Sequence, residues 1–189
     1  MKVNEIYKEL KSILKPGDII FFSPKDLWFR FIEYWTRDKW GHVGVVLDNK
    51  EVILLIEAIP RGIGVTNMIY RLNLKQDLTI YRFKNVKKEQ LTEFIQKASS
   101  FIGRGYDFKS LANFVIGKAK FRSKKKCFCS ELIYRSLVAT KIIKHSEMAD
   151  IVSPHDLRLL VENITTNIQT YLVNKEGKYM KQYYEEEKK

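Results

Sequence analysis

The stretch "WGHVGVVLDNKEVILLIEA", residues 40–58, contains two mostly apolar segments on either side of a short polar turn. Apolar, β-branched runs that flank such a turn are typical of an antiparallel β-hairpin. A turn centred on Asn49 and Lys50 would place His42 directly opposite Glu57 on one face of the hairpin. At that separation the carboxylate can hydrogen-bond one imidazole nitrogen, which leaves the other nitrogen for proton transfer.

Further strands are predicted on both sides of this hairpin. Before it, a helical spacing of apolar residues over residues 3–14 ends ahead of Pro16, and the short apolar strand "DIIFF" follows. An amphipathic helix is predicted over residues 26–38. After the hairpin, "GVTNMIY" and "LTIYRF" have the composition of strands. We therefore expect an antiparallel sheet of about five strands.

From Lys87 onward the apolar spacing changes to the helical period. Helices are predicted from Lys87 to near Gly103, in "DFKSLANFVIG", over residues 130–139 and from Pro154 onward, and a last strand is predicted in "NITTNIQTYLV". Helices, then a block of strands, then helices again are typical of an α+β fold, in which an antiparallel sheet packs against helices.

Length and charge limit the class of protein. The 189 residues suit one domain, residues 1–189, with a charged and partly mobile tail at 175–189. The net charge of +12 favours anionic partners, but no nucleic-acid-binding signature accompanies it, so no nucleic acid is expected. No apolar run is long enough to span a membrane and no leader pattern is visible. We expect a cytoplasmic protein with peripheral membrane contact at most.

The two cysteines, Cys127 and Cys129, are separated by one residue, which supports no disulfide framework. A zinc site would have to combine them with His42, His145 or His155, which are scattered along the chain, so no metal or cofactor is expected. Cys129 lies where a predicted helix begins, and amides at a helix N-terminus stabilise a thiolate and lower its pKa. Cys129 is therefore the predicted nucleophile, and Cys127 is interpreted as a buried spectator thiol.

Two other features allow a structural and a functional interpretation. The basic run Arg122–Lys126 is either a solvated loop or a positive rim that recruits an anionic substrate or phospholipid. Trp28, Trp35 and Trp40 would line a hydrophobic substrate groove, although such a stripe more often belongs to the core.

Taken together, these motifs resemble the circularly permuted papain-like enzymes of the NlpC-type superfamily, specifically the YiiX-like group of cysteine peptidases or amidases. The resemblance is carried, between positions 15 and 157, by "KPGDIIFF", "WGHVGVVLD", "VILLIEAIPRGIGV", "GRGYDF", "FCSELIYRSL" and "SPHDL". In unpermuted relatives the cysteine precedes the histidine, whereas here His42 precedes Cys129. A triad depends on geometry rather than on chain order, so this reversal is compatible with catalysis.

The resemblance implies a catalytic triad of Cys129 as nucleophile, His42 as general base and acid, and Glu57 as the orienting residue, with Tyr106 near the oxyanion site. It implies cleavage of an amide, isopeptide or ester bond through a thioacyl intermediate. The expected substrate is a small peptide, an amino-acyl compound or a lipid ester, with anionic character favoured by the charge of the chain. A lipid-directed acyltransferase or thiol lipase of the same fold, and a non-catalytic binding module, are the alternatives.

Overall fold

A computed structural model of the chain describes residues 1–23, 38–108, 127–144 and 152–182. Several predicted features lie outside these residues or nearly so: the helix over residues 26–38, the helix in "DFKSLANFVIG", the basic run Arg122–Lys126, Trp28, Trp35, His145 and the end of the charged tail.

The described residues contain an antiparallel sheet of seven strands. The strands are β1 (Ile19–Phe22), β2 (His42–Asp48), β3 (Leu54–Ile59), β4 (Gly62–Asn67), β5 (Leu78–Phe83), β6 (Thr165–Val173) and β7 (Tyr179–Gln182). Their order across the sheet is β4-β3-β2-β1-β5-β6-β7, and every neighbouring pair is antiparallel. The predicted α+β fold with an antiparallel sheet is confirmed, with seven strands instead of about five.

Five helices of the described residues cover the sheet. They are α1 (Val3–Ile13), α2 (Met68–Asn73), α3 (Lys88–Ser99), α4 (Cys129–Ala139) and α5 (Pro154–Ile164). All except α2 begin at, or next to, the residue at which the helical spacing predicts a start. Within the described ranges, none of the helices combines the length and the apolar composition needed to cross a bilayer.

Each face of the sheet buries its own hydrophobic core. On one side α1 and α2 pack over residues such as Phe22, Val46 and Leu55, and we call this side the His42 face because His42 belongs to it by strand alternation. On the other side α3, α4 and α5 pack over residues such as Val45, and we call it the Cys129 face. His42 therefore projects from one face of the sheet, whereas Cys129 belongs to a helix that packs on the other face.

The register of the central hairpin differs from the predicted one. Glu57 pairs with Gly44, not with His42, and a bulge interrupts the ladder between Val46 and Asp48. The reason is that β3 begins only at Leu54, so the connection is longer than the short turn assumed from the sequence. Because the shift amounts to two residues, and side chains alternate with a period of two, His42 and Glu57 still project from the same face.

One further expectation needs correction. The segment "GVTNMIY" is not one strand, as its composition predicts, because β4 ends at Asn67, whose side chain accepts a hydrogen bond from the Ile69 amide and caps α2. Asparagine is a favourable N-cap residue, which explains why a helix begins there. Within the tail predicted from Lys175, β7 occupies Tyr179–Gln182 and pairs with β6.

The segment "KPGD" before β1 forms a tight turn against the sheet. The Asp18 amide donates to the Lys15 carbonyl at 3.0 Å, and Gly17 has φ +89°, a conformation that favours glycine. Arg82 on β5 locks the turn, since its Nε donates to Asp18 Oδ1 at 2.8 Å and its Nη2 to Asp18 Oδ2 at 2.6 Å. Because β5 and β2 lie on opposite sides of β1, this ion pair is a structural contact away from His42.

Candidate active site

The first pair of candidate residues, His42 and Glu57, lies in direct contact. His42 Nε2 is 2.7 Å from Glu57 Oε2, and the two side chains are 1% and 0% exposed. His42 is the first residue of β2, and its ring also lies against Phe22 of β1, with 6.0 Å between ring centroids. The diagonal position of the two residues across the ladder is still within reach because both side chains are long.

Glu57 is surrounded by donors. Arg71 of α2 donates from Nε to Oε1 at 3.0 Å and to Oε2 at 2.9 Å, and the Thr66 hydroxyl of β4 donates to Oε1. Burial raises the pKa of the Glu57 carboxyl, but the hydrogen bond from His42 and the charge and hydrogen bonds of Arg71 outweigh burial and lower its pKa to about 2. Glu57 is therefore ionised at neutral pH.

Cys129 is the first residue of α4, one residue earlier than predicted. The N-cap residue, Phe128, offers no side-chain acceptor to the first amides of the helix. The amides of Ser130 and of Cys129 itself instead lie close to the Cys129 sulfur and act to lower the pKa of the thiol. Phe128 and Leu132 are buried beneath the first turn and hold the cysteine against the sheet.

The Cys129 sulfur reaches the sheet beside His42. The amide of Val43, the residue that follows His42, lies close enough to the Cys129 sulfur to act on the pKa of the thiol and lower it. The ladder between β2 and β3 begins only at Gly44 and Glu57, so Val43 lies beyond its end and its amide can face another segment. The end of the ladder thus lets a residue from the Cys129 face approach the His42 strand.

The acidity of Cys129 differs from the expectation. Burial raises the pKa of the Cys129 thiol to about 11, although the amides of Val43, Ser130 and Cys129 and the charge of Arg71 all lower it. The helix-start effect is present, but it is smaller than the cost of placing a thiolate where water is excluded. At neutral pH the resting sulfur is a thiol, not the thiolate predicted from its position at a helix start.

Cys127 and Tyr106 lie next to each other, just ahead of the start of α4. A parallel bridge joins their backbones, and the Asp107 amide donates to the Cys127 carbonyl at 3.4 Å. Burial raises the pKa of Cys127 to about 12. Burial also raises the pKa of Tyr106, as would negative charge on Cys129 or Cys127. Among the described residues the buried Tyr106 hydroxyl has no hydrogen-bond partner.

A second cluster of a carboxylate, a histidine and an arginine lies at the entrance to β2. Asp38 Oδ2 is 2.8 Å from His155 Nδ1 and 2.8 Å from Arg158 Nε, both of α5, and the Trp40 amide donates to Oδ1 at 3.2 Å. Burial raises the pKa of Asp38, but these hydrogen bonds prevail and lower it. Trp40 is buried in the core of the Cys129 face, which favours the structural interpretation of this tryptophan.

Sequence reasoning missed Arg71 and Thr66. Arg71 lies three residues after the buried Met68 and beside the buried Leu72, so it shares the inner side of α2. A basic residue among the apolar positions of a helix is a usable signal, but the strand-like composition of the segment hides that pattern. Thr66 pairs with Leu55, two positions from Glu57 on the same face, and only the strand pairing reveals this.

Comparison with known proteins adds three findings. Residues 13–172 match the family model described as permuted papain-like amidase enzyme, YaeF/YiiX, C92 family. The fold is similar to the crystal structure of metalloprotein yiiX from Escherichia coli O157:H7, with a TM-score of 0.57 and 20% sequence identity over 90% of this chain and 97% of that chain. No curated protein matches the chain.

Proposed function

The chain belongs to the C92 family of permuted papain-like amidases, and from this membership we propose that it is a cysteine hydrolase in which Cys129, His42 and Glu57 form the catalytic triad. The family supports a cysteine peptidase or amidase in general. The observation that carries the assignment of residues is the buried contact of 2.7 Å between His42 and Glu57, next to the Val43 amide, which acts to lower the pKa of Cys129.

Glu57 takes the role of orienting residue. It contacts Nε2 of His42, so Nδ1 is the nitrogen assigned to exchange protons with Cys129. A carboxylate in this position fixes the tautomer of the imidazole and supports its protonated form during the reaction. Its low pKa keeps it anionic over the whole range in which a histidine titrates.

The first half of the proposed reaction forms a thioester. His42 Nδ1 takes the proton from the Cys129 thiol as the sulfur attacks the carbonyl carbon of the substrate. Because the resting sulfur is protonated, proton transfer accompanies the attack instead of preceding it. The carbonyl oxygen becomes an oxyanion, and the amides of Cys129 and Ser130 and the Tyr106 hydroxyl are the proposed donors to it. His42 then protonates the leaving amine or alcohol as the carbon–heteroatom bond breaks.

The second half releases the acyl group. His42 Nδ1, neutral again, takes a proton from a water molecule whose oxygen attacks the thioester carbon. Collapse of this second tetrahedral intermediate breaks the carbon–sulfur bond, frees the carboxylic acid and returns the proton to the Cys129 sulfur. If an alcohol or an amine attacks the thioester in place of water, the acyl group is transferred to that molecule. This acyl transfer is the alternative that the sequence leaves open.

The proposed steps use only the side chains and amides of the chain and water. The yiiX protein, which has a similar fold, is described as a metalloprotein. In the part of this chain that the structure describes, no three side chains of His, Cys, Asp or Glu form a group that fits a metal ion. The donor set around Cys129 therefore differs from a metal-binding cluster, and no step is assigned to a metal.

The two cysteines provide a matched test of the proposed nucleophile. Wild type, Cys129→Ala and Cys127→Ala are screened against a panel of amino-acyl amides, short peptides and lipid esters, with intact-mass detection of an acyl adduct. We expect the wild type and Cys127→Ala to turn over the same substrate and to carry the adduct, and Cys129→Ala to do neither. Full turnover by Cys129→Ala would contradict the proposal. Anionic members of the panel are expected to be preferred, given the net charge of +12.

A further inference from the structure

Arg71 touches two members of the proposed triad but has no part in the proposed chemistry. It belongs to α2 and is 5% exposed. Its Nε donates to both oxygens of Glu57, and its Nη2 is 2.7 Å from Glu57 Oε2 and 2.8 Å from His42 Nε2. One guanidinium thus contacts both the orienting carboxylate and the imidazole.

His42 Nε2 therefore faces two partners with opposite requirements. Glu57 Oε2 is an acceptor, so this contact needs a proton on Nε2, whereas Arg71 Nη2 is a donor and needs a lone pair there. A neutral imidazole has one N–H group. With the proton on Nε2, Nδ1 has a lone pair and can act as a base. With the proton on Nδ1, the ring accepts from Arg71 and cannot take the Cys129 proton through Nδ1.

The positive charge of Arg71 also disfavours transfer of the Cys129 proton to His42. Protonation of both nitrogens would place an imidazolium 2.8 Å from a guanidinium in a site closed to water. Glu57 would offset that repulsion, but its charge is already paired with Arg71 through three contacts of 2.7–3.0 Å. A like charge nearby disfavours the charged form of an ionisable group. The Arg71 charge also attracts a thiolate and acts to lower the pKa of Cys129. Arg71 Nη2 lies 2.8 Å from the imidazole, whereas no hydrogen bond joins Arg71 to Cys129 in the described part of the chain, so its repulsion of an imidazolium is the stronger effect.

We propose that Arg71 is a positioning residue that competes with Glu57 for His42 Nε2 and thereby keeps the resting site as a neutral thiol and a neutral imidazole. The inference rests on the proposed function, because it assigns a regulator to the same Cys129–His42 pair. Its consequence is that Cys129 becomes strongly nucleophilic only when the contact between Arg71 and His42 is lost or when the pH is high.

The surroundings of this pair include other groups that titrate or carry charge. On the His42 face these are Glu57 and Arg71, and on the Cys129 side they are Cys127 and Tyr106. Glu131 and Arg135 of α4 and Arg104 act on Cys127. Arg71 differs from these groups because it is a cation whose Nη2 lies 2.8 Å from the His42 imidazole.

The test measures the pH dependence of Cys129 alkylation by iodoacetamide without any substrate, in a Cys127→Ala background in which Cys129 is the sole thiol. Arg71→Met removes the charge and the donors but keeps a long side chain. We expect it to lower the apparent pKa of alkylation by about 1–3 units, because Glu57 can then support an imidazolium. Arg71→Lys keeps the positive charge but replaces the planar guanidinium by a single ammonium group, so its shift should be smaller than that of Arg71→Met.

Arg82→Met is the matched control, since it breaks an arginine–carboxylate contact of the same kind, with Asp18, away from the site. It should leave the alkylation profile unchanged. An unchanged profile in Arg71→Met, or an equal shift in Arg71→Lys or Arg82→Met, would overturn the inference. His42→Ala separates the two proposals. An alkylation profile that His42→Ala leaves unchanged contradicts the triad itself. A profile that changes in His42→Ala but not in Arg71→Met contradicts only this inference.

A second measurement does not depend on the folding of Arg71→Met. Long-range ¹H–¹⁵N correlation spectra of ¹⁵N-histidine-labelled wild type report the tautomer and charge of each ring, and His42→Gln assigns the His42 signals. At neutral pH we expect a neutral His42 with a measurable population protonated on Nδ1. A His42 ring that is imidazolium, or protonated on Nε2 alone, would refute the competition between Arg71 and Glu57.

Discussion

The described residues contain two clusters of the same composition, each with a carboxylate, a histidine and an arginine. The clusters differ in burial and in their neighbouring residues. In one, Glu57 holds His42 and Arg71, and the histidine side chain is 1% exposed. In the other, Asp38 holds His155 and Arg158, and the histidine side chain is 33% exposed. We call them the buried cluster and the outer cluster.

The difference between the clusters lies in their neighbours. The buried cluster adjoins the Val43 amide, which acts on the pKa of Cys129, whereas the outer cluster joins the residues that lead into β2 to the first turns of α5. Arg158 of the outer cluster also donates from Nη1 to Glu162 Oε1 at 2.5 Å, and the Tyr81 hydroxyl donates to the same oxygen at 2.8 Å. The comparison teaches that a carboxylate that orients a histidine supports a proposed catalytic role only where a candidate nucleophile lies next to that histidine.

The largest expected effect separates the two histidines. His42→Ala should reduce turnover of a substrate found in the panel by about 10²–10⁴-fold, the usual contribution of a general base. His155→Ala should keep most of the activity, because its ring is partly exposed and binds Asp38. Steady-state rates of both variants at matched folded concentration test this, and an equal loss in both would end the distinction between the clusters.

The next effect concerns stability. Glu57→Ala leaves the buried Arg71 without its counter-ion and should lower the free energy of unfolding by about 3–5 kcal/mol. Asp38→Ala should cost about 1–2 kcal/mol, because His155 and Arg158 remain partly exposed and can be solvated. Urea unfolding of the two variants provides the comparison. A larger loss in Asp38→Ala would show that the outer cluster, not the buried one, is the stronger structural contact.

The smallest effect is the dependence of stability on acid. The folded-state pKa of Glu57 is about 2, below its ordinary value of 4.5, so its contribution is complete above pH 4.5 and is lost as the pH falls toward 2. This loss is on the order of 3 kcal/mol and should be absent in Glu57→Gln. The pKa of Asp38 is also lowered, so Asp38→Asn should remove a smaller acid-dependent loss.

Unfolding free energies measured between about pH 5 and pH 2.5 in wild type, Glu57→Gln and Asp38→Asn resolve the two contributions. If wild type and Glu57→Gln lost stability in parallel over this range, the buried carboxylate would not be the acid-sensitive contact.

Much of the site was predictable because it depends on local patterns. Alternating apolar residues around a polar turn indicated the β2–β3 hairpin, and a two-residue error in register did not separate His42 from Glu57, since it preserves the face of the sheet. The apolar spacing predicted the start of α4 at Ser130, one residue after its observed start at Cys129. The family inferred from these motifs is confirmed by the match over residues 13–172.

Other parts of the site were not predictable because they depend on contacts between distant segments. Arg71 reaches Glu57 only because Asn67 caps α2 after β4, in a segment whose composition resembles a strand. The outer cluster joins Asp38 to residues more than a hundred positions later. Neither pairing leaves a periodic signal in the sequence.

The sequence by itself determined which residue types could react, where the helices begin and which side chains of a strand share a face, because these properties follow from local backbone geometry and from a period of two or 3.6 residues. Only the tertiary structure decided the protonation of the site. The pKa of Cys129 is raised by burial, and that of Glu57 is lowered by its contacts with His42 and Arg71 although burial opposes it. Desolvation and the nearness of charges are properties of packing, and packing brings together residues that the chain keeps apart.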